Sequence, residues 1–108
     1  MSRQTKEKYA RYEQTPKGKY RAYKSRAKRR GIVFKLSLAE FSSFWKVPCH
    51  YCSYPIFTVG LDRIDNEGYE MGKIVSCCQP CNQAKSDLTQ ARFFELCRQV
   101  VKTHGLTP

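Results

Sequence analysis

Two pairs of cysteines, each with two residues between its members, constrain the fold of this chain more than any other feature. Cys49 and Cys52 form the first pair, Cys78 and Cys81 form the second, and 25 residues separate the pairs. A CxxC turn lets both of its sulfur atoms face one ion, so the two pairs together can surround Zn²⁺ tetrahedrally. The alternative is two unrelated pairs of buried thiols. The spacing favours a structural zinc site, with a two-stranded hairpin filling the gap between the pairs.

The other cysteines and the histidines are not expected to bind this metal. Cys77 would break the two-residue spacing if it replaced its neighbour Cys78. Cys97 lies among apolar residues at helical intervals, which is typical of a buried thiol. His50 lies inside the first pair and His104 lies near the C-terminus, and both are interpreted as exposed structural residues.

The length and hydropathy of the chain limit its class. A chain of 108 residues forms at most one domain, with a core small enough to gain from a metal or disulfide staple. It has no run of about 18 apolar residues, and its N-terminus is too polar for a secretory signal. We therefore expect a soluble intracellular protein with no membrane partner, whose reduced cysteines are available to a metal. The oligomeric state is left open by the sequence, and a dimer is possible.

Positive charge is concentrated at the start of the chain. Residues 1–30 hold 12 of the 20 Lys and Arg residues against two Glu residues, which gives this segment +10 of the total charge of +11. Such a segment favours nucleic acid, because Lys and Arg release counterions from the phosphate backbone, although a solvated basic tail is the alternative. Four tyrosines interleave with the charges and suit stacking on, or packing beside, a nucleic-acid strand. The residues predicted to bind DNA are Arg26, Lys28, Arg29 and Arg30.

Capping residues and periodicity predict the elements before the first cysteine pair. Thr15 and Gly31 bound a helix over "PKGKYRAYKSRAKRR" that begins with a proline. The alternation in "IVFKL" predicts a short strand over 32–36. Ser37 and Glu40 form a capping box for a helix whose aromatic residues, Phe41, Phe44 and Trp45, are predicted to enter the core. We divide the chain into a basic extension, 1–30, and a zinc-binding domain, 31–108.

The second half of the chain predicts strand, strand and helix in that order. "IFTVGLDRID" and "MGKIVSC" are predicted strands joined by the turn "NEGYE". A short helical piece follows in "NQAKSD", and Thr89 and Gly105 bound a longer helix over "QARFFELCRQVVKTH". The fold class is therefore α+β, with the zinc site at the base of a small finger and helices flanking it.

The combined motif resembles the HNH nuclease family in its four-cysteine, phage-type form. It consists of the two cysteine pairs, "LDRI" at 61–64, and "CNQAK" at 81–85. The similarity extends over about residues 20–103, because small phage HNH proteins also carry a "YKxRAKxRG" run ahead of the first pair. The resemblance implies a ββα-metal finger that hydrolyses DNA to a 3′-hydroxyl and a 5′-phosphate. It also implies the cytoplasm of a bacterial host if the chain is phage-encoded.

The same resemblance implies a second metal site. Asp62 and Asn82 match the family's ligands for a catalytic cation, and their hard oxygen atoms suit Mg²⁺ or Mn²⁺. Lys85, one helical turn beyond Asn82, is expected to contact a phosphate. The alternative roles are a hairpin charge for Asp62 and a helix cap for Asn82.

Two positions depart from the family pattern. Arg63 stands where the family has a His general base, and arginine keeps its proton at any working pH. Lys73 stands where the family has an Asn that supports the loop. We expect both to contact phosphate, with Asp65, His50 or metal-bound water left as the possible base.

Three functions are therefore compatible with the sequence. The first is a metal-dependent DNA endonuclease, which is the function we expect. The second is a zinc module that binds DNA without cutting it, and the third is a protein-interaction module, which the basic N-terminal third disfavours.

Overall fold

A computed structural model of the chain describes residues 14–106, which contain four helices and a two-stranded antiparallel sheet. None of the helices in this part of the chain combines the length and the apolar character needed to cross a bilayer. The elements in chain order are α1 (Pro16–Arg29), α2 (Leu38–Ser42), β1 (Leu61–Arg63), β2 (Ile74–Ser76), α3 (Gln79–Lys85) and α4 (Gln90–Thr103).

Helix α1 begins and ends where its capping residues predict. The Thr15 side chain accepts a hydrogen bond from the backbone N–H of Gly18, and Pro16 occupies the first turn. Gly31 follows the helix with φ at +69°, a conformation that glycine adopts without strain. The basic residues lie on the exposed side of the helix, while Ala27 is buried.

Helix α1 packs into the same core as the zinc-binding segment. The rings of Tyr20 and Tyr23 each lie 5.5 Å from the ring of Phe41, between centroids. The hydroxyl of Tyr20 donates to the carbonyl of Leu36, and the hydroxyl of Tyr23 accepts from the backbone N–H of Leu61. These two tyrosines therefore pack against the protein core, in place of the expected contact with a nucleic-acid strand. The other interleaved tyrosines, at 9 and 12, lie outside the described residues.

The predicted strand over 32–36 is wrong. Only Phe34 forms a β-bridge, which is parallel and pairs with Tyr69. The alternation nevertheless marks burial correctly, because Leu36 is buried whereas Val33 and Lys35 are exposed. This segment is extended and has one partner residue, which is too little pairing for a strand.

Helix α2 has the predicted capping box but is short. Ser37 Oγ accepts from the N–H of Glu40, and the Glu40 carboxylate accepts from the N–H of Ser37. Phe41 is completely buried and Phe44 packs against the core, as predicted, while Trp45 is only partly buried and Leu38 is exposed. The helix ends at Ser42.

The hairpin is confirmed in shorter form than predicted. Its antiparallel register pairs Leu61 with Ser76 and Arg63 with Ile74. Gly60 lies immediately before β1, where a Cβ atom would overlap the backbone carbonyl of Cys77. Leu61 and Ile74 join Leu36 and Phe41 in the buried core.

Helix α4 follows the Thr89 cap as predicted, but its apolar face is largely exposed. Phe93 is its one buried residue in the described chain, whereas Leu96, Val100 and Val101 are exposed. Cys97 is also exposed, so the prediction of a buried thiol is wrong. Helical spacing identified an apolar face correctly, but no element of the described residues covers this face beyond Phe93.

Candidate functional site

The four cysteines of the two CxxC pairs converge as the spacing predicts. Their sulfur atoms all lie within 4.8 Å of one another, and the sulfurs of Cys52 and Cys78 are 3.6 Å apart. Cys49 and Cys78 are buried, while Cys52 is exposed. Four sulfurs at this separation can hold one metal ion such as Zn²⁺.

The local environment separates Cys49 from Cys77 chemically. Burial opposes ionisation of Cys49, but hydrogen bonds from backbone amides of the two CxxC turns lower its pKa to about 6. Burial raises the pKa of Cys77 to about 12, and its thiol donates to the carbonyl of Cys78. Burial also raises the pKa of Cys78 and Cys81, so the pKa values do not by themselves separate ligands from other thiols. The geometry does, because Cys77 lies outside the four-sulfur cluster, in agreement with the spacing argument.

Asp62 lies in the centre of β1 with only 4% of its surface exposed. One carboxylate oxygen accepts a hydrogen bond of 2.6 Å from the hydroxyl of Tyr51, and the other accepts one of 3.2 Å from the ammonium of Lys85. Burial and the bond to Asp62 both raise the pKa of Tyr51, so its hydroxyl keeps the proton that it donates. The carboxylate is thus fixed in orientation by two donors from different elements.

The position of Lys85 corrects the expectation that it contacts a phosphate. Its side chain is completely buried, ion-paired with Asp62, and donates a second hydrogen bond to the carbonyl of Arg63. A phosphate at the surface cannot reach this ammonium in the observed arrangement. Lys85 instead neutralises Asp62 and joins α3 to β1.

Asn82 and Asp62 line one small polar cavity. The cavity has a volume of about 130 Å³, and Asn82 itself is exposed at its edge. We name it the candidate cavity. Its lining residues come from the end of α1, from β1 and the hairpin loop, and from α3 and its C-cap: Arg30, Leu61, Asp62, Arg63, Asn66, Tyr69, Asn82 and Ser86.

Arg63 lines this cavity and is held by the hairpin loop. One guanidinium nitrogen donates to the backbone carbonyls of Asn66 and Glu67, at 2.9 and 2.8 Å. The guanidinium also lies over the ring of Tyr69, 5.6 Å from its centroid. Arg63 therefore organises the loop, in addition to placing positive charge at the cavity.

Lys73 is not among the described residues that line the candidate cavity. Its ammonium is 2.7 Å from the carboxylate of Glu67 and 3.8 Å from that of Glu70. These contacts raise the pKa of Lys73 and lower that of Glu67. The structure thus offers Lys73 an acidic partner on the hairpin loop in place of the expected phosphate.

The residues predicted to bind DNA lie on the outer side of α1 and at its end. Arg26, Lys28, Arg29 and Arg30 are all exposed, and Arg30 also lines the candidate cavity. Arg26 lies over the ring of Tyr23, 4.8 Å from its centroid. The basic surface of α1 therefore continues to the edge of the candidate cavity.

Neither possible side-chain base lies at the cavity. His50 and Asp65 are exposed, and neither belongs to its described lining. The ring of His50 packs against Tyr51, 5.1 Å between centroids. His104 is also exposed, as predicted.

Sequence reasoning missed Tyr51, which joins the cysteine cluster to Asp62. Tyr51 lies inside the first CxxC turn and packs edge-on against Phe93, with its hydroxyl on the carboxylate. The one sequence signal for this role is the position of Tyr51 within the CxxC turn, because a turn fixed at both ends also fixes the direction of the side chains between them.

Comparison with known proteins assigns the fold. No family model matches the sequence. The uncharacterized protein R423 of Acanthamoeba polyphaga mimivirus is 34% identical over 93 residues, a match that covers 83% of this chain but only 18% of the viral protein. The solved structure of the rare-cutting HNH restriction endonuclease PacI is similar with a TM-score of 0.65 and 22% identity, covering 84% of this chain and 80% of that one. The chain thus has a small α+β fold like that of an HNH endonuclease, with a four-cysteine metal site, as the sequence predicted.

Proposed function

We propose that this chain is a metal-dependent endonuclease of the HNH type that hydrolyses phosphodiester bonds in DNA. The observation that carries the proposal is the candidate cavity, where Asp62 and Asn82 meet beside two arginines on an HNH-like fold. Carboxylate, amide and guanidinium groups in one small cavity suit a hard cation together with a phosphate.

Zinc on the four cysteines would have a structural role. The two CxxC turns precede β1 and follow β2, so one ion would tie together the segments that flank the hairpin. Four sulfur ligands would leave this ion no open position for a substrate, which is the arrangement of structural zinc sites.

The donor set at the candidate cavity fits Mg²⁺ or Mn²⁺. Asp62 and Asn82 would hold the cation, and each carboxylate oxygen that accepts from Tyr51 or Lys85 keeps another lone pair. When bound, such a cation supplies charge stabilisation at phosphorus and a more acidic water. The half-buried Tyr51 and the buried Lys85 fix the direction in which Asp62 presents its oxygens.

The two arginines would position the phosphate. Arg30 and Arg63 line the cavity from different elements, and the planar guanidinium matches phosphate oxygens. Arg63 cannot accept the proton of the attacking water, and no histidine lines the described cavity. That proton would therefore pass to solvent, which limits the rate at low pH.

One observation favours a second function, DNA binding without cleavage. The ammonium of Lys85 already neutralises the carboxylate of Asp62 inside the fold. With Arg30 and Arg63 nearby, the cavity is cationic before any metal enters. In this alternative the cavity holds a DNA phosphate alone.

A nicking assay on supercoiled plasmid with Mg²⁺ or Mn²⁺ tests the proposal. Asn82→Ala is the informative variant, because Asn82 is exposed and its loss leaves the core intact. Asp62→Ala is less suitable, since it leaves the buried ammonium of Lys85 without its partner. We expect the native chain to nick the plasmid, Asn82→Ala to lose this activity, and Asn82→Asp to retain part of it.

Gln83→Ala is the matched control, because Gln83 is the exposed neighbour of Asn82 and does not line the candidate cavity in the described residues. It should cut like the native chain. Cleavage that survives Asn82→Ala would refute the assigned site. A native chain that shifts labelled DNA and leaves it intact with both metals would establish the binding function instead.

A further inference from the structure

The segment between the first CxxC turn and β1, residues 53–60, presents two exposed aromatic side chains. We name it the aromatic loop. Phe57 is 86% exposed and Tyr54 is 64% exposed. Both are among the most exposed large hydrophobic side chains of the described chain, and burial in the core does not account for either.

The backbone of the aromatic loop is held at both ends. The carbonyl of Tyr54 accepts from the N–H of Cys49 at 2.9 Å, and the carbonyl of Thr58 accepts from the N–H of Lys46 at 2.6 Å. Ile56 packs against the cysteine cluster. The ring of Phe57 is therefore displayed by an anchored loop.

A groove separates this loop from helix α1. It has a volume of about 570 Å³, within the range of pockets that hold small ligands. Tyr54 and Phe57 line one side, Lys19 and Arg26 line the other, and no acidic residue belongs to the described lining. We name it the basic groove. Aromatic rings opposite cations are the combination that binds single-stranded nucleic acid.

The basic groove leads to the candidate cavity. Asn82 lines both of them, and it also lines a cavity of about 200 Å³ beside Arg26 and Arg30. A strand with one phosphate at Arg30 and Arg63 would therefore extend its next nucleotides towards Phe57.

We propose that the basic groove holds an unpaired nucleobase of the DNA, stacked on Phe57, with its phosphate beside Lys19 and Arg26. A paired base inside a duplex has both faces covered by its neighbours, whereas an unpaired base offers a free face on which a protein ring can stack without separating base pairs. The inference rests on the proposed function and specifies its substrate class as DNA with an unpaired nucleotide, such as a bulge, a flap or a branch.

Fluorescence anisotropy with the zinc-loaded full chain tests this inference. Two labelled DNAs are compared at one salt concentration and without Mg²⁺ or Mn²⁺: a perfect duplex, and the same duplex with one unpaired nucleotide. Base stacking on an aromatic ring predicts that the bulged duplex binds about 5- to 150-fold more tightly. Phe57→Ala should remove this preference and leave the affinity for the perfect duplex unchanged, while Phe57→Trp should retain it.

Leu106→Ala is the control, since Leu106 is another exposed apolar residue that does not line the described groove. It should preserve the preference. Equal affinity of the native chain for the two DNAs, or a Phe57→Ala variant that binds both DNAs as the native chain does, would overturn the inference. An equal loss on both DNAs would overturn it as well, because it would indicate a contact with intact duplex. The anisotropy assay measures binding without cleavage, so a failure of the proposed activity in the nicking assay would be a separate result.

Discussion

The buried ion pair between Lys85 and Asp62 makes a quantitative prediction about stability. Replacing Lys85 with Met removes the ammonium but keeps an apolar chain of similar length in a completely buried position. The carboxylate of Asp62, 4% exposed, then retains only the hydrogen bond from Tyr51. Removing one partner of a buried pair costs about 3 to 5 kcal/mol, which is a large part of the roughly 5 to 15 kcal/mol that stabilises a small domain.

The double variant separates the ion pair from simple loss of packing. Asp62→Asn leaves the ammonium of Lys85 without a carboxylate, so it should also be costly on its own. Asn at this position can still accept the hydrogen bond from Tyr51. We therefore expect the combination with Lys85→Met to be more stable than the sum of the single changes predicts, by about 2 kcal/mol or more.

Urea unfolding with saturating zinc measures these free energies, because loss of metal would otherwise add its own contribution. Lys73→Met is the matched control, since Lys73 makes its ion pair at the surface and its loss should leave the unfolding midpoint unchanged. A cost below about 1 kcal/mol for Lys85→Met, or additive single variants, would show that the pair does not support the fold as described.

Four further outcomes are expected. Gly60→Ala should strongly lower the melting temperature, because its Cβ meets the Cys77 carbonyl, whereas Gly105→Ala, with open space around it, should cost only about 1 kcal/mol. Cys49→Ser should abolish binding of one zinc per chain in a metal assay and expose the chain to proteolysis, while Cys97→Ser, at an exposed position, should change neither. Tyr23→Phe should cost about 1 kcal/mol in urea unfolding, because the Leu61 N–H loses its acceptor, and an unchanged midpoint would contradict this role. Cleavage should persist in a His50→Ala variant, because no histidine lines the described cavity; its loss would indicate His50 as the base.

The parts of the fold that the sequence predicted correctly depend on local chemistry. Thr15, Ser37 and Thr89 each cap a helix because a side-chain oxygen reaches the N–H three residues later. The CxxC turns are equally local, and two of them in one short chain converge on one point. These features need no knowledge of distant partners.

The predictions that failed concern distant partners. The alternation at 32–36 marks which side chains are buried, but it contains no information on whether a neighbouring strand is long enough to pair. Cys97 lies on an apolar helical face, yet the sequence does not state what covers that face. Periodicity identifies a face and leaves its partner undetermined.

The same distinction between local features and distant contacts applies to the candidate site. Asp62 and Asn82 line one cavity, and their binding of a cation stays a prediction. The burial of Lys85 could not be predicted, because a lysine is buried in a core only when it is paired. Its partner, Asp62, lies 23 residues earlier in the chain. The bond from Tyr51 to that carboxylate depends on the same three-dimensional arrangement.

Helix α3 is only seven residues long, yet it carries Cys81, Asn82 and Lys85 within its last turn and a half. A peptide of this length does not stay helical in water without external support. Two anchors outside the helix provide that support: the sulfur cluster near its start and the buried ion pair at its end. Oxidation of the thiols would therefore displace Asn82 before the rest of the protein unfolds. The neighbouring cavity keeps its shape only while the sulfur cluster is intact.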